Sequence, residues 1–195
     1  HPNLTGGKIA PGPADFTSGA AMSADEAQRA IQLGLDIVGR EIAAGLDLLA
    51  VGEMGIGNTT SASAIIAAIS GRPAAEVTGR GTGVDEAGVR HKIEVIDQAI
   101  RRHAPANEGT LAKVGGLEIG VMAGLMLGAA AQRVPVVIDG LISTAAALIA
   151  AQLAPDVTNY LIAGHRSTEP GHRVALEWLG LDPMLSLDLR LGEGT

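Results

Sequence analysis

The sequence predicts an α/β fold in which a parallel β-sheet is flanked by helices. Two observations predict it. A short apolar run, a polar glycine turn and a hydroxyl-bearing helix start follow one another three times, from residues 46, 134 and 159. Aromatic residues make up only 2% of the chain and Gly accounts for 27 of 195 residues, so small aliphatic side chains must build the core. Because parallel strands bring their carboxyl ends to one edge of the sheet, we expect the functional site at that edge.

The individual elements follow from local signals. Ser23 and Glu26 form a capping box that begins an amphipathic helix, which ends at Gly45. A buried central strand follows, and then a turn and a helix capped by hydroxyls. The later elements are helices over 61–70, 85–103 and 111–132 (interrupted at 115–116), a strand over 134–138, a helix over 143–153, a strand over 159–163, a helix from 169 and a last strand over 185–189. Together they predict a parallel, Rossmann-like sheet.

Length and charge limit the classes of protein. We expect one domain over 1–195, because this length suffices for a single α/β core. The net charge of −7, with only 14 Lys and Arg, argues against nucleic acid or an anionic membrane surface as a partner. The chain has no Cys, which excludes a thiol nucleophile and fits a cytoplasmic location. The polar, Gly- and Pro-rich first residues do not resemble a secretory signal.

The apolar segment 114–131 approaches the length of a membrane span. Glu118 lies inside it and a β-branched strand follows it, so we interpret it as a helix buried within the protein. Gly120, Gly124 and Gly128 recur there at a spacing of four residues. They predict a smooth helix face that packs closely against another element or, alternatively, against a second subunit.

The turn after the first strand carries the strongest local signal of a ligand. Gly55 and Gly57 leave backbone N–H groups open to an approaching anion, and the next helix adds the positive end of its dipole. Phosphate is the most plausible anion, although such a turn can also be a mere connection. Glu53 favours a ligand site, because it lies at the carboxyl end of the strand.

Polar residues that follow the other strands should gather at the same edge. They are Glu53, Asp139, His165, Arg166, Ser167 and Glu193. This set suits transfer chemistry on a phosphorylated small molecule better than hydride transfer, because Thr60 replaces the third glycine of the dinucleotide fingerprint. Gly140 stands where a second magnesium-binding acid would be useful, so we expect no metal and no cofactor. His165 and His172 are too far apart along the chain for a pair on one face, and each is interpreted as a structural residue and not as a ligand.

Four motifs, in this order, resemble the nicotinate mononucleotide:5,6-dimethylbenzimidazole phosphoribosyltransferase family of cobalamin lower-ligand assembly. They are Gly52-Glu53-Met54-Gly55-Ile56-Gly57-Asn58-Thr59-Thr60, Lys113-Val114-Gly115-Gly116-Leu117-Glu118-Ile119, His165-Arg166-Ser167-Thr168-Glu169-Pro170-Gly171-His172 and Leu189-Arg190-Leu191-Gly192-Glu193-Gly194-Thr195. The resemblance covers nearly all of this chain but only the middle and later part of a family member. By this resemblance the chain is a fragment that lacks an N-terminal region and a C-terminal helix.

The resemblance implies transfer of the 5-phosphoribosyl group from nicotinate mononucleotide to a benzimidazole, with inversion at the anomeric carbon, in a homodimer. It implies that Glu193 is the general base and that Glu53 is a second acid near the ribose. The implied phosphate- or substrate-binding residues are Gly55, Gly57, Asn58, Lys92, Asp139, Ser167 and Leu191. Without the resemblance, Lys92 would be interpreted as a solvated helix lysine. The alternative is a non-catalytic phosphosugar- or nucleotide-binding protein, or an inactive fragment of the same fold.

Overall fold

The computed structural model describes residues 6–81, 83–104 and 109–189. In these residues three strands alternate with helices, as the sequence predicts. The elements are α1 (Ala24–Ala43), β1 (Leu49–Val51), α2 (Thr59–Ser70), α3 (Ala74–Val77), α4 (Glu86–His103), α5 (Thr110–Val114), α6 (Leu117–Ala131), β2 (Val136–Ile138), α7 (Leu141–Leu153), a 3-10 helix (Pro155–Tyr160), β3 (Leu161–Ala163) and α8 (Pro170–Leu179).

The three strands are parallel and lie in the order β1-β2-β3. The predicted α/β class with a parallel sheet flanked by helices is therefore confirmed. The prediction that the first strand is central and buried is wrong. β1 pairs only with β2 among the described strands, and its Ala50 is exposed. β2 is the central strand, because it pairs on both sides and its Val136 and Ile138 are fully buried.

Helix α1 begins at the predicted capping box. The Ser23 hydroxyl accepts a hydrogen bond from the Glu26 amide, and the Glu26 carboxylate accepts one from the Ser23 amide. The helix packs on α6 through small residues. A methyl group on Gly124 would overlap the Ile31 carbonyl, and one on Gly34 would overlap the Val121 carbonyl. The glycine face of α6 thus serves packing within the chain, which decides between the two interpretations of that pattern.

This crossing predicts opposite effects for two glycine substitutions. Gly124→Ala should lower the free energy of unfolding by about 3 kcal/mol, because the new methyl group meets a backbone carbonyl that can retreat only if α1 shifts. Gly39→Ala is the control, since that site on α1 is exposed and open. It should stabilise the helix by up to about 1 kcal/mol. Urea denaturation followed by circular dichroism measures both, and equal effects would contradict this account of the crossing.

Helix α6 is the buried helix predicted for the apolar segment, and the described residues contain no helix with both the length and the apolarity to cross a bilayer.

The starts of three other elements differ from the predictions. The cap of α2 is Asn58, which makes no side-chain capping hydrogen bond, so the hydroxyl cap is wrong. Helix α7 begins two residues before the predicted position 143, and β3 begins two residues after position 159.

The predicted last strand is also wrong within the described residues. Residues 185–189 form no strand, and Leu185 makes a single parallel bridge with His165. The Leu185 amide donates a hydrogen bond to the Gly164 carbonyl, and the Leu185 carbonyl accepts one from the Arg166 amide. Pro183 precedes this bridge and a left-handed Asp188 follows it, so the backbone cannot continue the ladder.

Candidate active site

A cavity of about 500 Å³ lies at the carboxyl ends of the three strands. Each strand delivers one polar residue to its wall: Glu53 follows β1, Asp139 follows β2 and His165 follows β3. The other lining residues are Met54, Gly55, Thr59, Gly79, Arg80, Gly81, Gly83, Gly140, Leu141, Ile142, Ser143, Ser167, Thr168, Glu169, Pro170 and Leu189. The parallel topology thus brings together residues that are more than a hundred positions apart.

Glu53 turns back onto the glycine turn that follows it. Its Oε1 accepts a hydrogen bond from the Gly55 amide at 2.5 Å, and its Oε2 accepts one from Asn58 Nδ2 at 2.6 Å. Burial raises the pKa of Glu53 above its usual value; the hydrogen bonds from Asn58 and Gly55 oppose this effect, and the charges of Glu118 and Asp139 add to it. Glu53 is therefore protonated more readily than an exposed glutamate.

The glycine turn has the predicted backbone form but its first donor is occupied. Gly55 and Gly57 both have positive φ, at 74° and 78°. The Gly55 amide faces Glu53, and Gly57 is exposed and does not line the cavity. Asn58 is buried behind the turn, where its amide also lies 3.2 Å from Glu118 Oε1. An anion can thus use the Gly55 amide only after Glu53 moves away.

Lys92 lies behind the cavity wall on α4. Its Nζ donates to Thr59 Oγ1 at 3.0 Å and to the Gly79 carbonyl at 3.1 Å, and both of these residues line the cavity. Burial lowers the pKa of Lys92, and the charge of Glu169 opposes this shift. Lys92 is therefore not a solvated helix lysine. It joins the start of α2 to the second glycine loop.

Sequence reasoning missed two charged residues of the cavity. Arg80 lies on its rim, and its guanidinium is 3.9 Å from the exposed Glu86 carboxylate. Glu169 lies against the same glycine loop, and its Oε1 accepts a hydrogen bond from the Gly81 amide at 3.0 Å. A side chain on Gly79 would overlap Glu169, so this glycine permits the close approach. The alternation of Gly79-Arg80-Gly81 was the available signal for Arg80, whereas the position of Glu169 depends on the tertiary fold.

Two histidines meet beside Asp139, although their spacing along the chain does not place them on one face of an element. His165 Nε2 lies 3.0 Å from Asp139 Oδ1. The rings of His165 and His172 are inclined by 68°, with centroids 5.8 Å apart, because the loop after β3 brings the first turn of α8 back against His165. Ser167 lines the cavity as predicted, and its amide donates to His172 Nδ1. Arg166 instead faces a separate surface hollow.

The predicted Glu193 and Leu191 lie outside the described residues. Leu189 lines the cavity at the end of the last described segment. Among the described residues, no group of three or more His, Asp or Glu side chains is arranged to hold a metal ion.

The fold and the site define an α/β protein with a small-molecule cavity that has carboxylate, glycine-loop and apolar walls. A family model described as "Phosphoribosyltransferase" matches residues 2–195. The chain belongs to this phosphoribosyltransferase family.

Relatives and solved structures support this assignment. The chain is 61% identical to a nicotinate-nucleotide--dimethylbenzimidazole phosphoribosyltransferase of Chloroflexus aggregans and 55% identical to one of Desulforudis audaxviator. These alignments cover 100% and 99% of this chain but 56% of each relative, so the chain spans about half the length of the curated relatives it matches. The crystal structure of CobT from Thermus thermophilus matches all of this chain and 59% of its own, with 47% identity and a TM-score of 0.93.

Proposed function

We propose that the complete protein transfers the 5-phosphoribosyl group of nicotinate mononucleotide to 5,6-dimethylbenzimidazole, giving α-ribazole 5′-phosphate and nicotinate for cobalamin biosynthesis. The observation that carries this proposal is the cavity itself. The chain that forms it is 61% identical over its whole length to a nicotinate-nucleotide--dimethylbenzimidazole phosphoribosyltransferase. The cavity has a size suited to a small substrate. It pairs acidic side chains with an apolar wall of Met54, Leu141, Ile142 and Leu189, against which an aromatic base can pack.

The chemistry requires a nucleophile, a leaving group and a base. One benzimidazole nitrogen attacks the anomeric carbon, and the bond to the pyridine nitrogen breaks with its electron pair remaining on nicotinate. The second benzimidazole nitrogen loses its proton to a carboxylate, which we assign to Glu193 from the family resemblance. Leu189 supports this assignment, because four further residues span at most about 14 Å from the cavity wall. From the same resemblance we assign Leu191 to the wall that contacts the base.

The ionised form of Glu53 acts on the sugar. Positive charge develops at the anomeric carbon as nicotinate leaves, and a fixed carboxylate stabilises such charge when water is excluded. Glu53 is half-buried at the cavity wall, and its hydrogen bond from Asn58 can keep the carboxylate in the site when the phosphate takes the Gly55 amide. These features suit an electrostatic stabiliser.

The 5-phosphate binds between the two glycine loops. We assign it to the Gly55 and Gly57 turn and to the Lys92 ammonium, which has a third N–H beyond its two bonds in this structure. Asn58 holds the turn, and Ser167 extends the donor set on the opposite wall. Phosphate binding displaces Glu53 from the Gly55 amide, because one N–H cannot serve both anions well.

Lys92→Ala should weaken nicotinate mononucleotide binding by roughly ten- to a hundredfold, while benzimidazole binding changes less than threefold. The loss removes a charge-assisted contact with the phosphate and the tie between Thr59 and Gly79. Lys113→Ala is the control, since this lysine lies on α5 and does not line the cavity. Calorimetry with each ligand measures both variants. Equal losses for the two ligands would indicate a folding defect and contradict the phosphate role.

The proposed reaction is tested by incubating the complete protein with nicotinate mononucleotide and 5,6-dimethylbenzimidazole and detecting α-ribazole 5′-phosphate by mass spectrometry. Product that depends on both substrates supports the proposal. Tight mononucleotide binding without product would instead support the non-catalytic binding protein, and the absence of both would contradict the proposed function. Product from the complete protein but none from residues 1–195 alone would identify this chain as an inactive fragment.

We further propose that residues 1–195 form one α/β core domain of a cytoplasmic homodimer. Exposed apolar side chains near the end of the described chain support a subunit contact, namely Trp178, Met184, Leu185 and Leu187. Light scattering coupled to gel filtration would measure the mass of the assembly, and a monomer at micromolar concentration would contradict the dimer.

A further inference from the structure

We propose that His165 and His172 are positioning residues, which hold the Asp139 carboxylate in the cavity wall so that it accepts hydrogen bonds from the ribose hydroxyls of the bound mononucleotide. This inference rests on the proposed function, because it assigns one part of that substrate to one wall of the site. It concerns two buried histidines that the reaction described above does not use.

The register of β2 and β3 places Asp139 and His165 side by side. Ile138 pairs with Ala163, so Asp139 and His165 leave neighbouring strands within one residue of the same level. His165 is buried, whereas the Asp139 side chain keeps 18% of its surface exposed and lines the cavity. The histidine therefore binds one side of the carboxylate from within the protein. The remaining lone pairs of Asp139 are available on the cavity side.

The hydrogen-bond partners assign a tautomer to each ring. His172 Nδ1 accepts the Ser167 amide at 3.0 Å, so this ring carries its proton on Nε2. His165 Nε2 faces Asp139 Oδ1 at 3.0 Å and carries the proton that it donates. His165 Nδ1 and His172 Nε2 are both buried and find no hydrogen-bond partner among the described residues.

His172 is itself neutral and helps to hold the His165 ring in place. It is fully buried, and burial together with the neighbouring His165 lowers the pKa of His172 to about 4. Its ring packs edge-on against His165, which limits the rotation of that ring. A His165 ring that donates to Asp139 stabilises the carboxylate, and the other lone pairs of Asp139 accept hydrogen bonds on the cavity side.

The chemistry of the substrate selects the ribose. The phosphate and the nicotinate carboxylate are anions and are repelled by an ionised Asp139, whereas the sugar hydroxyls are donors. The benzimidazole N–H is the other donor, and its proton passes to the base. Carboxylates at the carboxyl ends of parallel strands also bind ribose hydroxyls in α/β proteins as a class. The sugar is thus the part of the substrate that Asp139 can hold.

Nitrogen-15 NMR of histidine-labelled protein tests the arrangement without any ligand. His165 should carry a proton on Nε2, and His172 should give the Nε2–H tautomer and stay neutral down to about pH 4. An Nδ1–H tautomer at His165 would overturn the inference, because that ring could not donate to Asp139.

Ligand binding tests whether His165 helps Asp139 to bind the ribose hydroxyls. His165→Leu removes the donor and should weaken nicotinate mononucleotide binding roughly tenfold or more, while binding of its 2′,3′-dideoxy analogue changes less than twofold. His165→Gln places an amide donor near the Nε2 position and should restore ribose-dependent binding to within about threefold of the parent. His91→Gln is the surface control. Asp139→Asn should show the same selective loss as His165→Leu.

The combined results of these variants distinguish the possibilities. If the Leu variant loses both ligands, the Gln variant decides: ribose-dependent binding near the parent value supports the inference, and a loss as large as that of Asp139→Asn overturns it. If Leu and Gln variants bind both ligands like the parent, the histidines do not position Asp139. If the variants give this last result and the parent still forms product, the inference is refuted and the proposed function stands. A parent that binds no mononucleotide refutes the proposed function.

Discussion

Glu193→Gln in the complete protein should lower turnover by about a hundred- to ten-thousandfold, while the affinity for nicotinate mononucleotide changes less than threefold. Glutamine keeps the size and hydrogen bonding of the side chain but cannot accept the benzimidazole proton, and loss of a positioned base typically has this effect. Single-turnover kinetics with both substrates at saturation measure the rate. Calorimetry with the mononucleotide alone measures the affinity.

The alternative role of Glu193 is structural, in which its carboxylate ties down the turn between Gly192 and Gly194. Glutamine would support that turn almost as well, so turnover within a few-fold of the parent would contradict the role of base. Glu94→Gln is the matched control, because this glutamate is exposed on α4 and does not line the cavity. If the Glu193 variant is nearly fully active, Glu53 becomes the next residue to test as the base.

The parts of the fold that local chemistry determines could be predicted from the sequence. The capping box at Ser23 and the glycine pair at 115–116 set helix boundaries by hydrogen bonding and backbone freedom, which depend on near neighbours along the chain. The same is true of the strand-turn-helix units that place Glu53 and Asp139 at one edge. The order of the strands could not be predicted, because β1 and β2 have similar apolar composition and only tertiary pairing decides which of them is central.

The side chains of the site depend on tertiary contacts that local patterns do not contain. His165 and His172 are seven residues apart on different elements, and only the angle between β3 and α8 brings their rings together. Glu53 was predicted correctly at the cavity, yet its reversal onto the Gly55 amide depends on Asn58 and on burial. Sequence position predicts which side chains reach the sheet edge. It does not predict which donor each of them meets there.

Glu53→Gln should move binding and turnover in opposite directions. The substitution removes one negative charge from a cavity that holds Asp139 and Glu169 as well, so nicotinate mononucleotide should bind on the order of tenfold more tightly at pH 8. Turnover should fall on the order of a hundredfold, because the variant no longer stabilises positive charge at the anomeric carbon. The turn itself should survive. Gln can accept the Gly55 amide, and a flip of Asn58, whose Oδ1 has no partner among the described residues, can satisfy the other end.

The pH dependence separates this charge effect from a change of shape. Burial raises the pKa of Glu53, so the native state favours its neutral form, and the parent should bind the mononucleotide more tightly as the pH falls through that raised pKa. The phosphate titrates in both proteins, and the ratio of the two affinities removes its contribution. That ratio should approach one at low pH and reach its maximum above the pKa of Glu53. The same sign holds for stability: the variant should melt at a higher temperature than the parent at pH 8, and the difference should shrink as the pH falls. An affinity ratio that does not change with pH, or a variant with the turnover of the parent, would contradict the assigned role of the Glu53 charge.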